Sequence, residues 1–375
     1  MDRINRLDVF YHDLPVGTLA LHQNRQAAFA YADTWLAGGF SISPFSLPLE
    51  KKVFYPKIDP FEGLFGVFAD SLPDGWGRLL VDRMMRKSGV DPAALGNLDR
   101  LAIVGTSGMG ALTYRPALEV KESGRTASYD ELAAACEKIL KEESSDDLDL
   151  LFEKGGSSGG AGPKILTKVD GEDWIVKFPA HGDGKNAGKR EYEYMLCAKK
   201  CGIETAEARL FPSKKCDGYF GVKRFDRQGP AEADKIHMVT AGGLLETSHR
   251  VPDLDYDLLM RLTLQLTKDM SECRKLFRLM CFNVFAHNRD DHARNFSYLY
   301  CEKEARWVLS PAYDLTYSDS IGGEHATTIH GNGENPGLED ILSVARGIGL
   351  NMREAEAVAE EIKEIVYEML PGRKV

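Results

Sequence analysis

Hydrophobic positions along this chain repeat with two different periods. Near the N-terminus the period is two. In RLDVFYH, Leu7, Val9 and Tyr11 share one face of an extended segment, and Pro15 and Gly17 punctuate the turn that follows. Residues 1–60 read as short strands and turns, with SPFSLPLE broken by proline. DSLPDGWGRLLVDRMMRKSG joins a turn signal, PDG, to helical spacing that ends at Gly89. LAIVGTSGMGALTY is an apolar run interrupted by three glycines. It lacks both the GxGxxG order and the GK[ST] ending of phosphate loops, so it reads as a tight structural turn.

From 116 to 128 the pattern turns polar. Ser128 and Glu131 form a capping box, and Leu132, Cys136, Ile139 and Leu140 mark one helical face behind it. The acidic run EESSDDLD reads as solvated surface, and a domain boundary is expected within 115–150. KGGSSGGAGPK is a loop with five glycines. ILTKV, DGED and WIVKF predict a hairpin in which Trp174, Val176 and Phe178 share one face and Lys177 takes the other. KREYEYMLCAKKCGI predicts a helix, DGYFGVKRFDR a strand, and RQGPAEAD a linker. Beyond 240 the period becomes 3.6. LLMRLTLQL and KLFRLMCFNVFAH are helical, with Phe277, Met280, Val284 and His287 on one stripe. A hairpin, FSYLY–CEKEAR–WVLSPAYD, interrupts the helices. The last helix is capped by Asn351 and Glu354 and carries Ala355, Val358, Ala359, Ile362, Ile365, Val366 and Met369 on one face. The whole is an α+β chain without internal repeats.

Composition narrows the function. With 375 residues and 43% hydrophobic positions, two or three packed units are affordable. The formal charge of −10 argues against non-specific nucleic-acid binding by this chain alone, and leaves room for a local basic patch or a basic partner. The seven cysteines are scattered with no C-x-x-C pair, which fits a reduced, cytoplasmic protein and removes the zinc-ribbon reading. No signal peptide or membrane-spanning run is expected.

The candidate chemistry lies in FNVFAHNRDDHARN and SPAYDLT. Phosphoryl transfer needs a held triphosphate, magnesium and an oriented acceptor hydroxyl. Asp290 is the candidate base, because it stands at the Asp-to-Asn interval of a protein-kinase catalytic loop and Asp291 does not. Asn295 and Asp314 are the candidate magnesium ligands. A turn centred near Lys303 would set position 295 opposite about 311, with Asp314 just beyond. Lys177 is the candidate phosphate lysine, with Glu191 or Glu193 as its partner. The Gly-rich loop 155–162 is the candidate phosphate cover. Each has a plainer alternative: a turn, a helix cap, a surface lysine, a flexible linker. Their joint spacing favours the site. His292 and His287 read as structural, and the Asp-His order disfavours a metal phosphohydrolase.

These residues resemble the HipA family of serine/threonine kinases, the toxins of HipBA-type toxin–antitoxin pairs. SLPDGWGRLL and VGTSGMGAL resemble the family's N-terminal subdomain, GGSSGGAGPK its Gly-rich loop, WIVKFP its lysine strand, KRFDR the strand before its hinge, and NRDDHARN with SPAYDLT its catalytic and metal motifs. The resemblance implies a protein-kinase-like two-lobed fold. It would comprise an N-terminal subdomain over 1–120, an N-lobe over 121–230 and a helical C-lobe over 231–375. It implies ATP and Mg²⁺, with Asp290 as base, Asn295 and Asp314 on the metal, and Lys177, Ser157, Ser158, Gly159, Gly160, Ala161 and Lys164 on the nucleotide. Ser157, or the adjacent Ser158, is the expected autophosphorylation site. Gly162 departs from the Arg or Gln of many relatives, which bears on the loop's phosphate contacts. The implied partners are a protein substrate, such as an aminoacyl-tRNA synthetase, and a helix-turn-helix HipB-like antitoxin that brings operator DNA. Two other readings remain at this stage: a small-molecule phosphotransferase, and a non-catalytic corepressor.

Overall fold

The computed structural model describes residues 3–23, 25–118, 125–143, 147–157, 159–180, 182–229, 234–248, 250–251, 253–319 and 322–371. Ser158, part of the acidic run (144–146) and the middle of the linker (230–233) lie outside them. The chain forms two compact units, Met1–Lys189 with Arg209–Met238, and Arg190–Ala208 with Val239–Val375.

The first unit opens as its alternation predicts. β1 (Arg6–Tyr11) buries Leu7, Val9 and Tyr11 and pairs antiparallel with β2 (Leu14–His22). Then come β3 (Gln26–Tyr31), α1 (Asp33–Leu36), β4 (Val53–Phe54), α2 (Gly66–Ala69), α3 (Gly75–Lys87), α4 (Asn97–Val104) and β5 (Leu112–Arg115). The five strands make one sheet in the order β4-β3-β2-β1-β5. α5 (Tyr129–Leu140) begins with the expected capping box: Ser128 Oγ accepts from the Glu131 N–H, and the Glu131 carboxylate accepts from the Ser128 N–H at 2.7 Å.

The chain after the acidic run departs from expectation. Residues read as surface and loop form α6 (Leu148–Gly155), which buries Leu148, Leu150, Leu151 and Phe152. A cluster of four large apolar side chains gains more from packing than the neighbouring acids and glycines lose. β6 (Lys164–Val169) and β7 (Glu172–Lys177) form the expected hairpin on Asp170-Gly171, both at positive φ (55° and 83°). α7 (Ala187–Lys200), β8 (Ala208–Phe211) and β9 (Tyr219–Lys223) follow, and the second sheet runs β6-β7-β9-β8.

One buried cluster joins Trp76 and Leu80 of α3, Cys136 and Ile139 of α5, Leu151 and Phe152 of α6, and Val176 of β7. Each such aliphatic side chain contributes about 2 kcal/mol on burial. Segments on both sides of residue 120 therefore share a core. A buried ionic group joins them again. Asp226 is fully buried, accepts from the Arg224 and Arg227 guanidiniums, and accepts the Gly110 N–H at 2.7 Å. Burial pushes its carboxyl up, but the two arginines prevail and hold it down at about 2. Both arginines also donate to the Gly108 carbonyl. Nearby in sequence, His237 is buried and bonded through Nε2 to the Ile42 carbonyl (2.8 Å); desolvation lowers its pKa to about 4.

The second unit contains β10 (Met238–Thr240), whose first residue closes the first unit, then α8 (Ala241–Leu245), β11 (Leu254–Asp255), α9 (Tyr256–Thr267), α10 (Met270–Phe285), β12 (Ser297–Cys301), β13 (Arg306–Leu309), β14 (Thr327–Thr328), α11 (Leu338–Ile348) and α12 (Met352–Met369). β10, β12 and β13 form a small sheet, and β11 pairs with β14 in parallel. α12 buries Ala355, Ala359, Ile362 and Val366, with Asn351 capping it and Met369 left 39% exposed. No helix among the described residues is long and apolar enough to cross a membrane.

Candidate functional site

The expected site residues fall into two groups, one in each unit. In the second unit, α10 ends at Phe285 and the chain turns through His287 at φ +52°. Asn288 then bonds back to the helix: its N–H donates to the Asn283 carbonyl (2.9 Å) and its amide to Asn283 Oδ1 (3.0 Å). Next, Arg289 donates to the carbonyls of Gly323 (2.6 Å) and Glu334 (3.1 Å).

The two adjacent aspartates have opposite surroundings. Asp290 is exposed. Asp291 is 1% exposed and accepts from the Tyr256 hydroxyl (3.1 Å), His325 Nδ1 (3.0 Å) and the Thr327 N–H (3.2 Å). Tyr256 in turn accepts from the Asn283 amide at 2.9 Å. Burial, and then the Asp291 charge, raises the Tyr256 pKa, so its hydroxyl stays a donor. Asp291 thus anchors the loop and leaves Asp290 at its surface.

Asn295 donates its side-chain amide to the Asp290 carbonyl at 2.6 Å. With the nitrogen engaged there, Oδ1 is the atom left to meet a cation. The hairpin that carries the metal candidates is closed by a turn at 302–304 with Ala305 at φ +49°. Cys301 faces Arg306 and Tyr298 faces Leu309, so the register places 295 opposite 312, one residue beyond the expected 311. The turn holds four residues, where a turn centred on Lys303 would hold an odd number. Tyr313 spans the gap: its hydroxyl bonds the Arg294 carbonyl (2.6 Å) and Ser297 Oγ (2.6 Å). The residues just before Asn295 and Asp314 are therefore in contact. Asp314 is half-buried, at φ +57°. A left-handed aspartate costs conformational energy, and such strain concentrates at working sites.

In the first unit, the Gly-rich loop leaves α6 and enters β6. Ser157 Oγ donates to the Ser107 carbonyl at 3.0 Å, and Gly160 sits at φ +80°. Gly159 and Gly162 border open space, and Gly160 and Ala161 are exposed. Lys164, 9% exposed, turns its ammonium onto the Gly159 carbonyl (2.8 Å). Lys177 faces Lys164 across the hairpin, is half-buried, and holds its ammonium 5.6 Å from the Phe220 ring centroid. In the second unit, Glu191 is buried and Glu193 exposed.

Sequence reasoning missed three supporting side chains. Tyr313 and Tyr256 look like ordinary core aromatics by pattern. Trp76, 1% exposed, was visible only as the centre of GWG; its backbone N–H holds the Gly160 carbonyl and its indole N–H the Lys164 carbonyl, each at 3.0 Å. Among the described residues no group of three or more His, Cys, Asp or Glu could cage a metal. An amide oxygen with one carboxylate remains the sparse oxygen set that magnesium uses beside phosphates.

Comparisons with known proteins agree with this organisation. No curated protein matches the chain. Among solved structures, HipA of Shewanella oneidensis MR-1, determined with HipB and operator DNA, superposes with a TM-score of 0.71 at 18% identity, covering 97% of this chain and 90% of that one. The Helicobacter pylori proinflammatory kinase CtkA matches at a TM-score of 0.39 and 17% identity over 58% of this chain and 88% of its own. The expected α+β, kinase-like fold in two lobes is the one observed. The model of the HipA N-terminal domain matches residues 7–115, and that of the HipA-like C-terminal domain matches residues 156–369, more than half of the chain: the protein belongs to the HipA family.

Proposed function

We propose that this chain is an ATP- and Mg²⁺-dependent serine/threonine protein kinase of HipA toxin type. The observation that carries the reading is the Tyr313–Arg294 hydrogen bond, which sets the neighbours of Asn295 and Asp314 together beside an exposed Asp290. In this reading Asp290 accepts the proton of the attacking hydroxyl, and Asn295 Oδ1 with the Asp314 carboxylate would hold the cation. Bound magnesium would neutralise the phosphate oxygens. Ser157, Gly159, Gly160, Ala161, Lys164 and Lys177 contact the nucleotide, and a loop serine, Ser157 or Ser158, is the first acceptor. The three segments expected over 1–120, 121–230 and 231–375 serve as N-terminal subdomain, N-lobe and C-lobe. A cytoplasmic protein, of which an aminoacyl-tRNA synthetase is one candidate, is the substrate. A HipB-like helix-turn-helix antitoxin is the partner, and it supplies the basic surface for operator DNA that a chain of charge −10 lacks.

The test is incubation of purified protein with ATP and Mg²⁺, followed by intact-mass and peptide mass spectrometry. One added phosphate at Ser157 or Ser158 is expected, and none in Asp290→Asn. An Asp290→Asn protein that labels as fully as wild type overturns the assignment. Growth arrest on expression, relieved by a co-expressed helix-turn-helix partner, separates a toxin kinase from a small-molecule phosphotransferase.

A further inference from the structure

The DGWG turn at the start of α3 makes contacts that the proposed reaction does not use. Trp76 grips the Gly-rich loop twice, at the Gly160 and Lys164 carbonyls. Gly75, at φ +44°, lies so close that an added Cβ would stand 2.5 Å from the Gly160 oxygen and 2.6 Å from the Ala161 Cα. Gly155, at the other end of the loop, has the same constraint: its Cβ would meet the Lys164 oxygen at 2.8 Å and the Trp76 indole nitrogen at 3.1 Å. Both ends and the middle of the loop therefore converge on one buried residue, Trp76, through its indole and its backbone N–H. The Ser157–Ser107 bond adds a fourth attachment, to the GTSGMG turn. That turn is itself held by Arg224, Arg227 and Asp226 through Gly108 and Gly110.

We propose that Gly75 and Trp76 are positioning residues for the Gly-rich loop. They fix its peptide planes from the rear, so that its N–H groups are presented to an anion. In a trans peptide the C=O and the following N–H point in opposite directions. With the Gly160 carbonyl turned onto Trp76, the Ala161 N–H points away from α3. With the Gly159 carbonyl turned onto Lys164, the Gly160 N–H points away from that lysine. Two adjacent N–H groups are thus oriented before any ligand arrives, and preorganisation of this kind lowers the cost of binding. The link to nucleotide rests on the proposed kinase reading; the clamp itself does not.

The experiment is hydrogen–deuterium exchange by mass spectrometry on the full chain, together with titration of a fluorescent ATP analogue. Trp76→Phe keeps a buried ring and removes the indole donor; Gly75→Ala drives the two backbones apart. Exchange in peptides spanning 155–165 is expected to quicken about tenfold in both variants, with α5 and α9 unchanged. The dissociation constant for the analogue is expected to rise about tenfold. Unchanged loop exchange in both variants overturns the clamp, as does acceleration spread evenly over the chain. A loosened loop with unaltered affinity overturns its anion-presenting role. Failure of the wild type to bind the analogue defeats the kinase reading, while the exchange data still decide the clamp.

Discussion

The two loops that carry the candidate chemistry are built by opposite means. The Gly-rich loop 155–162 has five glycines and is gripped from outside through its carbonyls, by Trp76, Lys164 and the Gly-limited contact at Gly75. The loop after α10, residues 286–296, has no glycine and is gripped from within, by the Asp291–Tyr256–His325 network and Asn283–Asn288. Three neutral bonds of about 1 kcal/mol each and one from the Lys164 ammonium hold the first loop, so it can leave its seat at lower cost than the second. A buried carboxylate with several donors cannot leave without stranding polar groups in the interior. One loop is suited to move and the other to stay.

Substitution of the exposed and buried aspartates should separate chemistry from architecture most sharply. Asp290→Asn is expected to cut phosphorylation by about 10³-fold and to leave stability within about 0.5 kcal/mol of wild type, since the side chain is exposed. Rapid labelling by the variant would remove Asp290 from the reaction. Asp291→Ala should do the reverse damage, costing about 4 kcal/mol in a urea unfolding curve, because Tyr256, His325 and Thr327 lose their common acceptor. Wild-type stability in this variant would break the contrast between the loops.

Acid should act unequally on the two units. His237 in the first unit has a folded-state pKa of about 4 against an ordinary 6.5. Its contribution is present above 6.5 and is lost as pH falls toward 4, to a total of about 3 kcal/mol. His330 in the second unit has the opposite sign. Its hydrogen bond with Asp257 raises its pKa, so its contribution holds at low pH and fades as pH rises through the folded value. Exchange rates measured at pH 7 and 4.5 should therefore show β1–β3 loosening with acid while α9 holds, and His237→Gln should flatten the response. The smallest effect concerns Tyr313→Phe. Losing its bond to Arg294 should cost about 1 kcal/mol and raise the Mg²⁺ concentration for half-maximal phosphorylation about fivefold; an unmoved magnesium dependence would show that this tether does not set the ligand pair.

Local rules made much of the fold legible. The DG hairpin, the Ser128 capping box and the stripe on α12 each depend on residues within a turn or two of one another. α6 was hidden by composition, since acids precede its apolar cluster and glycines follow it. α11 lies outside the elements expected from the pattern, although Ile341, Val344 and Ala345 form a stripe behind a capping Asp340. In the candidate site, motif spacing singled out Asp290. The work of Asp291, Tyr313 and Trp76 was not visible, because each contributes through a contact with a distant segment. Tyr256 and Asp291 are 35 positions apart, and Trp76 and Lys164 are 88. Spacing within a motif carries no information about such partners.

The salt cluster at Asp226 bears on how the protein is made. Its bonds join Gly108 and Gly110 to side chains 116 to 119 positions later. The first unit is also discontinuous, since its chain leaves at 189 and returns at 209. On the ribosome, β1, β2 and β3 can pair early as local hairpins, whereas β5 joins β1 through pairs such as Asp8 with Arg115, far apart in the chain. The GTSGMG turn gains its anchor only after Arg227 has cleared the exit tunnel. Long-range closure of this kind comes late in folding. The nascent chain thus lacks the Asp226 anchor of this turn until more than half of its length has been translated.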